Sequence, residues 1–248
     1  KIIVASTGVI GQHLPMAKVK RGIASAAGQL GRRRDSSVVE AIMTTDTRQK
    51  SAVVFTTIGR KKVTIAGIAK GSGMIAPSMA TMISVITTDA AISPAALKKA
   101  LTAAVAGSFN AVTVDSDTST SDIVAVFASG RAGNASLTAA SKQYAKFAAA
   151  LAEVCAELAR AIATDGEGAT KLIKVDVRGA RTDREAEIAA KSVANSPLFK
   201  CAVHGCDPNW GRIAMALGKS DAKVILEKLT IRIGPTLIFS RGTPTKFN

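Results

Sequence analysis

Three β-rich runs crowd into residues 52–88, and the breaks between them constrain what the chain can become. Ala52 to Ile58 and Val63 to Ile68 are separated by Gly59-Arg60-Lys61-Lys62, the spacing of an antiparallel hairpin. The second run feeds a glycine loop, Lys70-Gly-Ser-Gly-Met-Ile-Ala-Pro-Ser-Met-Ala-Thr-Met82, and the third run, Thr81 to Thr88, starts as the loop ends. Thr81 is thereby predicted to open a buried strand directly behind a loop that bends sharply. Such a threonine is placed to attack the carbonyl before it, cut the chain, and serve as an N-terminal nucleophile. A plain loop-to-strand junction has the same pattern. The loop lacks the Gly-Lys-Ser/Thr ending of a phosphate-binding P-loop.

Aromatic residues make up 4% of the chain and apolar residues 47%, so the core must be filled by Ala, Val, Ile and Leu. Long helices with small faces fit that inventory, and 248 residues allow one large domain or two modest ones. The net charge is +15, with thirteen Lys/Arg against three Asp/Glu in residues 1–80. The basic residues lack aromatic interleaving, and Arg32-Arg33-Arg34 reads as a solvated loop, so nucleic acid is not an expected partner. The excess charge favours small acidic substrates, weakly and in a salt-dependent way. Cys155, Cys201 and Cys206 have no metal-like spacing and read as reduced thiols of an intracellular protein. His204 and Cys206 have no second ligand pair, so no metal is expected. No signal peptide is expected, and no uncharged apolar run reaches the roughly 18 residues of a membrane span.

In chain order, Ile2 to Ala5 reads as a buried strand opening into the turn Ser6-Thr-Gly-Val-Ile-Gly11. A helix is expected over Met16 to Leu30; Val38 to Met43 fits helix or strand, and helix is the preferred reading. Ser93-Pro94 starts another helix that runs to about Ala106. Ala111 to Val114 and Ile123 to Ala128 read as strands around the polar turn Asp115 to Asp122, whose side chains are expected to bond back to the backbone. Leu137 to Ala163 is the longest predicted helix, ending at Asp165-Gly166. Lys171 to Arg178 and Leu198 to Val203 read as strands, Thr182-Asp-Arg-Glu185 as a capping box opening a helix to about Ala194, and Ile213 to Leu217 as a helix. Val224 to Ser240 is strand-like with a Gly234-Pro235 turn. The class is α+β, with sheets covered by helices.

Six segments together resemble the ornithine acetyltransferase family, also called glutamate N-acetyltransferase. They are Ser6 to Gly11, Ala41-Ile-Met-Thr-Thr-Asp-Thr47, Lys70 to Met82, Phe109 to Asp122, Asp165-Gly-Glu-Gly-Ala-Thr-Lys171, and Asp207-Pro-Asn-Trp-Gly-Arg212. The resemblance implies a layered α/β/β/α arrangement with mixed sheets, of the self-processing N-terminal-nucleophile kind. It implies cleavage between Ala80 and Thr81, dividing the chain into a first subunit, 1–80, and a second, 81–248, that assemble as a heterotetramer or larger. It further implies a cytoplasmic enzyme of arginine biosynthesis, with the mitochondrial matrix as the alternative.

The implied chemistry is a ping-pong acyl transfer. The hydroxyl of Thr81, deprotonated by its own α-amine, would attack the acetyl group of N-acetylornithine, and glutamate would take the acetyl from the ester. An unperturbed α-amine, with a pKa of about 8, suits that role. By the same resemblance Thr7 and Gly8 form the oxyanion hole, and Thr44, Lys70, Thr81, Glu167 and Asn248 contact substrate. Thr45 is the neighbouring choice to Thr44. No metal or bound cofactor is implied, and acetyl-CoA is left open as a second donor. The rival reading is an N-terminal-threonine amidohydrolase or aminopeptidase of related fold, with water as acceptor. Family members extend beyond this chain at both ends, so the sequence reads as incomplete or divergent.

Overall fold

The computed structural model describes residues 2–31, 35–76 and 82–246. The chain divides into two compact units, Lys1–Glu167 and Gly168–Asn248. In the first unit, α1 (Met16–Gly28) and α2 (Asp35–Ala41) precede β1 (Lys50–Ile58) and β2 (Lys61–Lys70). Then come β3 (Ile83–Thr88), α3 (Pro94–Ala106), a 3-10 turn (Phe109–Ala111), β4 (Ile123–Ala128) and α4 (Tyr144–Thr164). The strands form one mixed sheet in the order β1-β2-β3-β4: the first two pairings are antiparallel and β3 runs parallel to β4. A parallel pair needs a long crossover, and α3 lies within it.

α4 supplies the largest share of this unit's core. Phe147, Leu151, Val154, Leu158 and Ile162 recur at three- and four-residue spacing and are all buried, the pattern of one helical face. This face packs on β1 and β2 and shares one core with Val63 and Ile65 of β2 and Ile86 of β3. Gly67 makes the approach possible, because a Cβ there would stand 2.9 Å from Leu158 Cδ1 and 3.1 Å from both Ile86 Cγ1 and Val154 Cγ1. We therefore expect Gly67→Ala to destabilise the protein by about 1–3 kcal/mol through overpacking. An unchanged thermal midpoint would show that α4 gives way without cost. The other sheet face, with Val53, Phe55 and Phe127, is exposed in this chain.

In the second unit, α5 (Asp183–Ala194), α6 (Pro197–His204) and α7 (Trp210–Gly218) precede a short 3-10 turn (Leu226–Lys228) and a three-stranded antiparallel sheet. Its strands are β5 (Thr230–Ile233), β6 (Thr236–Ser240) and β7 (Thr243–Pro244). Each helix carries a side-chain N-cap: Thr182 accepts from Glu185 N, Ser196 from Phe199 N, and Asn209 from Arg212 N. The Asp207-Pro-Asn-Trp-Gly-Arg212 segment is a structural joint here. Trp210 stacks on Phe239 at 4.7 Å between centroids, and Arg212 Nη1 donates to Leu198 O at 2.6 Å.

The α+β class holds, and five local expectations change. Ile2 to Ala5 is not a strand: Ile2 and Val4 are 92% and 81% exposed, and no ladder partner stands beside them among the described residues. Leu198 to Val203 lies in α6, because the Ser196 cap with Pro197 at the first helical position outweighs β-propensity. Ala111 to Val114 begins in the 3-10 turn and then runs extended, with Val114 N donating to Ile75 O. Lys171 to Arg178 keeps the expected alternation, with Ile173, Val175 and Val177 packed on the second unit's core, but lacks ladder pairing among the described residues. The long helix also starts later than predicted, at Tyr144. The hydroxyl of Ser141 accepts from Thr138 N, and Leu137 instead bridges Ile92.

Candidate active site

The glycine loop is held at both ends by carboxylates. Lys70, the last residue of β2, is the cross-strand partner of Ile83, so the loop leaves and returns at the same end of the two central strands. Asp46 accepts from Gly71 N at 2.7 Å and fixes the outgoing end. Asp115 accepts from Met74 N and Ile75 N at 2.5 and 2.9 Å. At the returning end, Asp122 Oδ1 accepts from Met82 N at 2.9 Å. The polar turn 115–122 was expected to bond to its own backbone, and Asp115 does accept from Asp117 N. Its two terminal carboxylates nevertheless reach the loop about 40 residues away in sequence.

Beneath the loop lies a buried ionic cluster. Lys50 Nζ donates to Asp46 Oδ1 at 2.5 Å and to Asp165 Oδ2 at 2.6 Å, and all three side chains are essentially inaccessible to solvent. Asp165 also accepts from the backbone N–H of Thr47 at 3.0 Å and from the Thr47 hydroxyl. Burial alone pushes Asp165 up, but the Lys50 and Thr47 hydrogen bonds outweigh it and hold the carboxyl at about 2. Asp46 is likewise lowered on balance: burial raises it, while the Gly71 N–H, Lys50 and the Thr44 N–H more than compensate. Asp165 ends α4 and stands two residues before Glu167, so the cluster ties together the three segments that carry Thr44, Lys70 and Glu167.

Those three predicted residues are brought together around the loop. Lys70 is 2% exposed, and its Nζ donates to Thr44 Oγ1 at 3.4 Å. Burial lowers the Lys70 pKa, against the raising influence of the Asp46 and Asp122 charges. No carboxylate lies within ion-pair distance of Lys70 Nζ among the described residues. Thr45 Oγ1 turns to Ser72 Oγ at 2.6 Å, which leaves Thr44 as the hydroxyl on Lys70. Glu167 N donates to Ser72 O at 2.9 Å, and its carboxyl lies against Gly73, where a Cβ would come within 2.6 Å of Oε1.

Thr7 is half-buried and Gly8 exposed, and among the described residues no hydrogen bond joins either to Thr44, Lys70 or Glu167. Ala80, Thr81 and Asn248 lie outside the described residues. Asp46, Lys50, Asp115, Asp122 and Asp165 carry no individual signal in the sequence, although each falls inside or beside a motif segment. Among the described residues no group of three or more His, Cys, Asp or Glu side chains is arranged to hold a metal ion, and no helix is long and apolar enough to cross a membrane.

Fold and site together define an α+β protein in which a glycine loop, held at both ends by carboxylates, presents a sequestered lysine beside a hydroxyl and a glutamate. The ArgJ family model matches residues 1–248, and the chain belongs to the ArgJ family. It is 50% identical over 247 residues to the arginine biosynthesis bifunctional protein ArgJ of Geobacillus kaustophilus (strain HTA426), covering 100% of this chain and 60% of that protein. Against the protein of the same description from Symbiobacterium thermophilum it is 50% identical over 245 residues, covering 99% and 61%. The crystal structure of arginine biosynthesis bifunctional protein argJ from Bacillus halodurans shares the fold, with a TM-score of 0.64 and 48% identity over 65% of this chain and 76% of that one. The chain thus spans about three fifths of the length of these curated relatives.

Proposed function

We propose that this chain carries the catalytic machinery of an acetyltransferase of arginine biosynthesis. It moves the acetyl group of N-acetylornithine to glutamate through an acetyl ester on Thr81, after cleavage between Ala80 and Thr81 into segments 1–80 and 81–248. The observation that carries this reading is Lys70: a buried ammonium, bonded to Thr44 and without a carboxylate partner among the described residues, favours an incoming carboxylate. Both N-acetylornithine and glutamate bring one. Glu167, on the adjoining segment, is suited to the ammonium of an ornithine side chain.

In this mechanism the Thr81 α-amine takes the hydroxyl proton as Oγ1 attacks the acetyl carbonyl. The C–N bond then breaks, and the proton leaves with the ornithine amine. Glutamate attacks the ester, regenerating the hydroxyl and releasing N-acetylglutamate. Thr7 and Gly8 are assigned the oxyanion hole, a donor set whose loss costs about 3–4 kcal/mol of transition-state stabilisation per group. Asn248 is assigned to substrate. Acetyl-CoA is an additional donor to be tested, no metal or bound cofactor takes part, and the cleaved pair assembles into a heterotetramer or larger. The curated relatives reported above are bacterial, which favours the cytoplasm over the mitochondrial matrix.

The test is an intact-mass spectrum of the full-length protein before and after brief incubation with N-acetylornithine. Two fragments dividing at Thr81, the second gaining about 42 Da, are expected for a covalent acetyl intermediate. A single chain that never gains an acetyl sinks the reading. Adding glutamate should clear the acetyl as N-acetylglutamate; free acetate released without glutamate would mark a hydrolase instead.

A further inference from the structure

Met82 is gripped at both of its backbone polar groups by two consecutive residues. Asp122 Oδ1 accepts its N–H at 2.9 Å, and Ile123 N donates to its carbonyl at 3.0 Å. Ile123 is also where β4 joins β3 in parallel register, opposite Ile83. The clamp therefore sits on the peptide immediately following Thr81. The second carboxylate oxygen, Asp122 Oδ2, is buried and has no hydrogen-bond partner among the described residues. A buried carboxylate oxygen without a partner is costly, and such an atom needs a reason to be there.

Resting on the acetyl-threonine reading, we infer that Asp122 is the positioning residue of the nucleophile: Oδ1 fixes the chain through Met82, and Oδ2 receives the α-ammonium of Thr81. Covalent geometry sets the reach, since the α-nitrogen of a residue lies no more than about 3.6 Å from the next residue's nitrogen. When Oγ1 attacks, its proton passes to the α-amine, and the ammonium so formed is stabilised by the neighbouring carboxylate. When the proton leaves with the departing ornithine amine, the carboxylate again faces a neutral amine. Asp122 neither gains nor loses a proton in the cycle. Its role resembles that of a buried aspartate behind a catalytic imidazole, which orients the base and favours its charged form.

The charged surroundings agree. Burial raises Asp122 to about 6, against the lowering effects of the Met82 N–H and the Lys70 charge, so the carboxylate is mostly ionised at neutral pH. The other groups acting on this corner are Lys70 on β2 and, through Lys70, Asp46 and Lys50. Asp115, at the far end of the same turn, is engaged with Met74 and Ile75.

Asp122→Asn, made in the full-length protein, keeps an oxygen for Met82 N but removes the charge. Acetylation of Thr81 by N-acetylornithine should slow by about tenfold to a hundredfold in kcat, with KM nearly unchanged. The acid limb of kcat/KM should move to lower pH, because the amine loses the carboxylate that favours its protonated form. A purely structural carboxylate would leave that limb in place, and so would overturn the proposal, as would wild-type kcat. Asp122→Glu should restore part of the rate. If Asp122→Asn fails to fold, Asp122→Ser, which also removes the charge, decides: wild-type kcat and an unmoved limb in Asp122→Ser overturn the inference. A wild-type protein that is never cut or acetylated fails the acetyl-threonine reading itself. Wild-type acetylation equalled by Asp122→Asn fails only the role of Asp122.

Discussion

Thr81→Ala in the full-length protein is expected to yield a single uncut chain that never takes up an acetyl group, with acetyl transfer reduced by about 10⁴-fold or more. The reasoning starts from the hydroxyl, which the proposed function uses twice. It attacks the Ala80 carbonyl to cut the chain, and later attacks the acetyl carbonyl of substrate. Removing it ends both events, and the uncut chain also withholds the α-amine that acts as base. Thr81→Ser separates these contributions, since it retains hydroxyl and, after cutting, amine. It is expected to be cut and acetylated at a reduced rate, because serine lacks the methyl group that restricts the side-chain rotamer. Intact-mass spectra and a glutamate-dependent acetyl-transfer assay read both outcomes. A Thr81→Ala protein that is cut at the same bond, or that gains about 42 Da with N-acetylornithine, would falsify the assignment of the nucleophile.

The parts of this picture that were legible in the sequence are those written in local chemistry. The hairpin around Gly59, the Ser93-Pro94 helix start and the Thr182 capping box all stand as expected, because a turn or cap is fixed by a few neighbouring residues. The alternation in Lys171 to Arg178 was also real, but a strand needs a partner, and pairing is not a local property. The apolar stretch Leu198 to Val203 shows the opposite case, where a capping serine and proline decided for helix against the side chains that followed. At the site, Lys70 and Glu167 stood out by their place in motifs. Asp46, Asp115, Asp122 and Asp165 did not, since each works through a backbone amide or a lysine far away in sequence. Contacts separated by 25 to 118 residues leave no spacing for a single sequence to display.

Lys50→Met is expected to cost about 3–5 kcal/mol of stability at neutral pH, the loss typical of stranding buried charge. Among the described residues Lys50 is the lysine that pairs with both Asp46 and Asp165, and the exposed Arg48 approaches Asp165 no closer than 3.8 Å. In the wild-type protein the carboxyl of Asp165 is held at about 2, below its unfolded value, so its stabilising contribution is complete above roughly pH 4 and fades as pH falls towards 2. Without Lys50 the sign reverses: burial now raises the folded-state values of Asp46 and Asp165 above the unfolded ones. A raised carboxyl favours the fold at low pH and penalises it as pH rises. The deficit of Lys50→Met should therefore be largest at pH 7 and shrink on acidification to about pH 4.5. Urea unfolding of both proteins at the two pH values measures it, and a deficit that is absent or grows with acid would contradict the account. Adding Asp165→Asn to Lys50→Met removes one stranded charge and should return part of the loss. Asp46 cannot be neutralised so freely, because it also holds Gly71 N and Thr44 N, the amides on either side of the Lys70 site. Stability and substrate binding are thus expected to separate in this cluster, with Asp165 governing the first and Asp46 both.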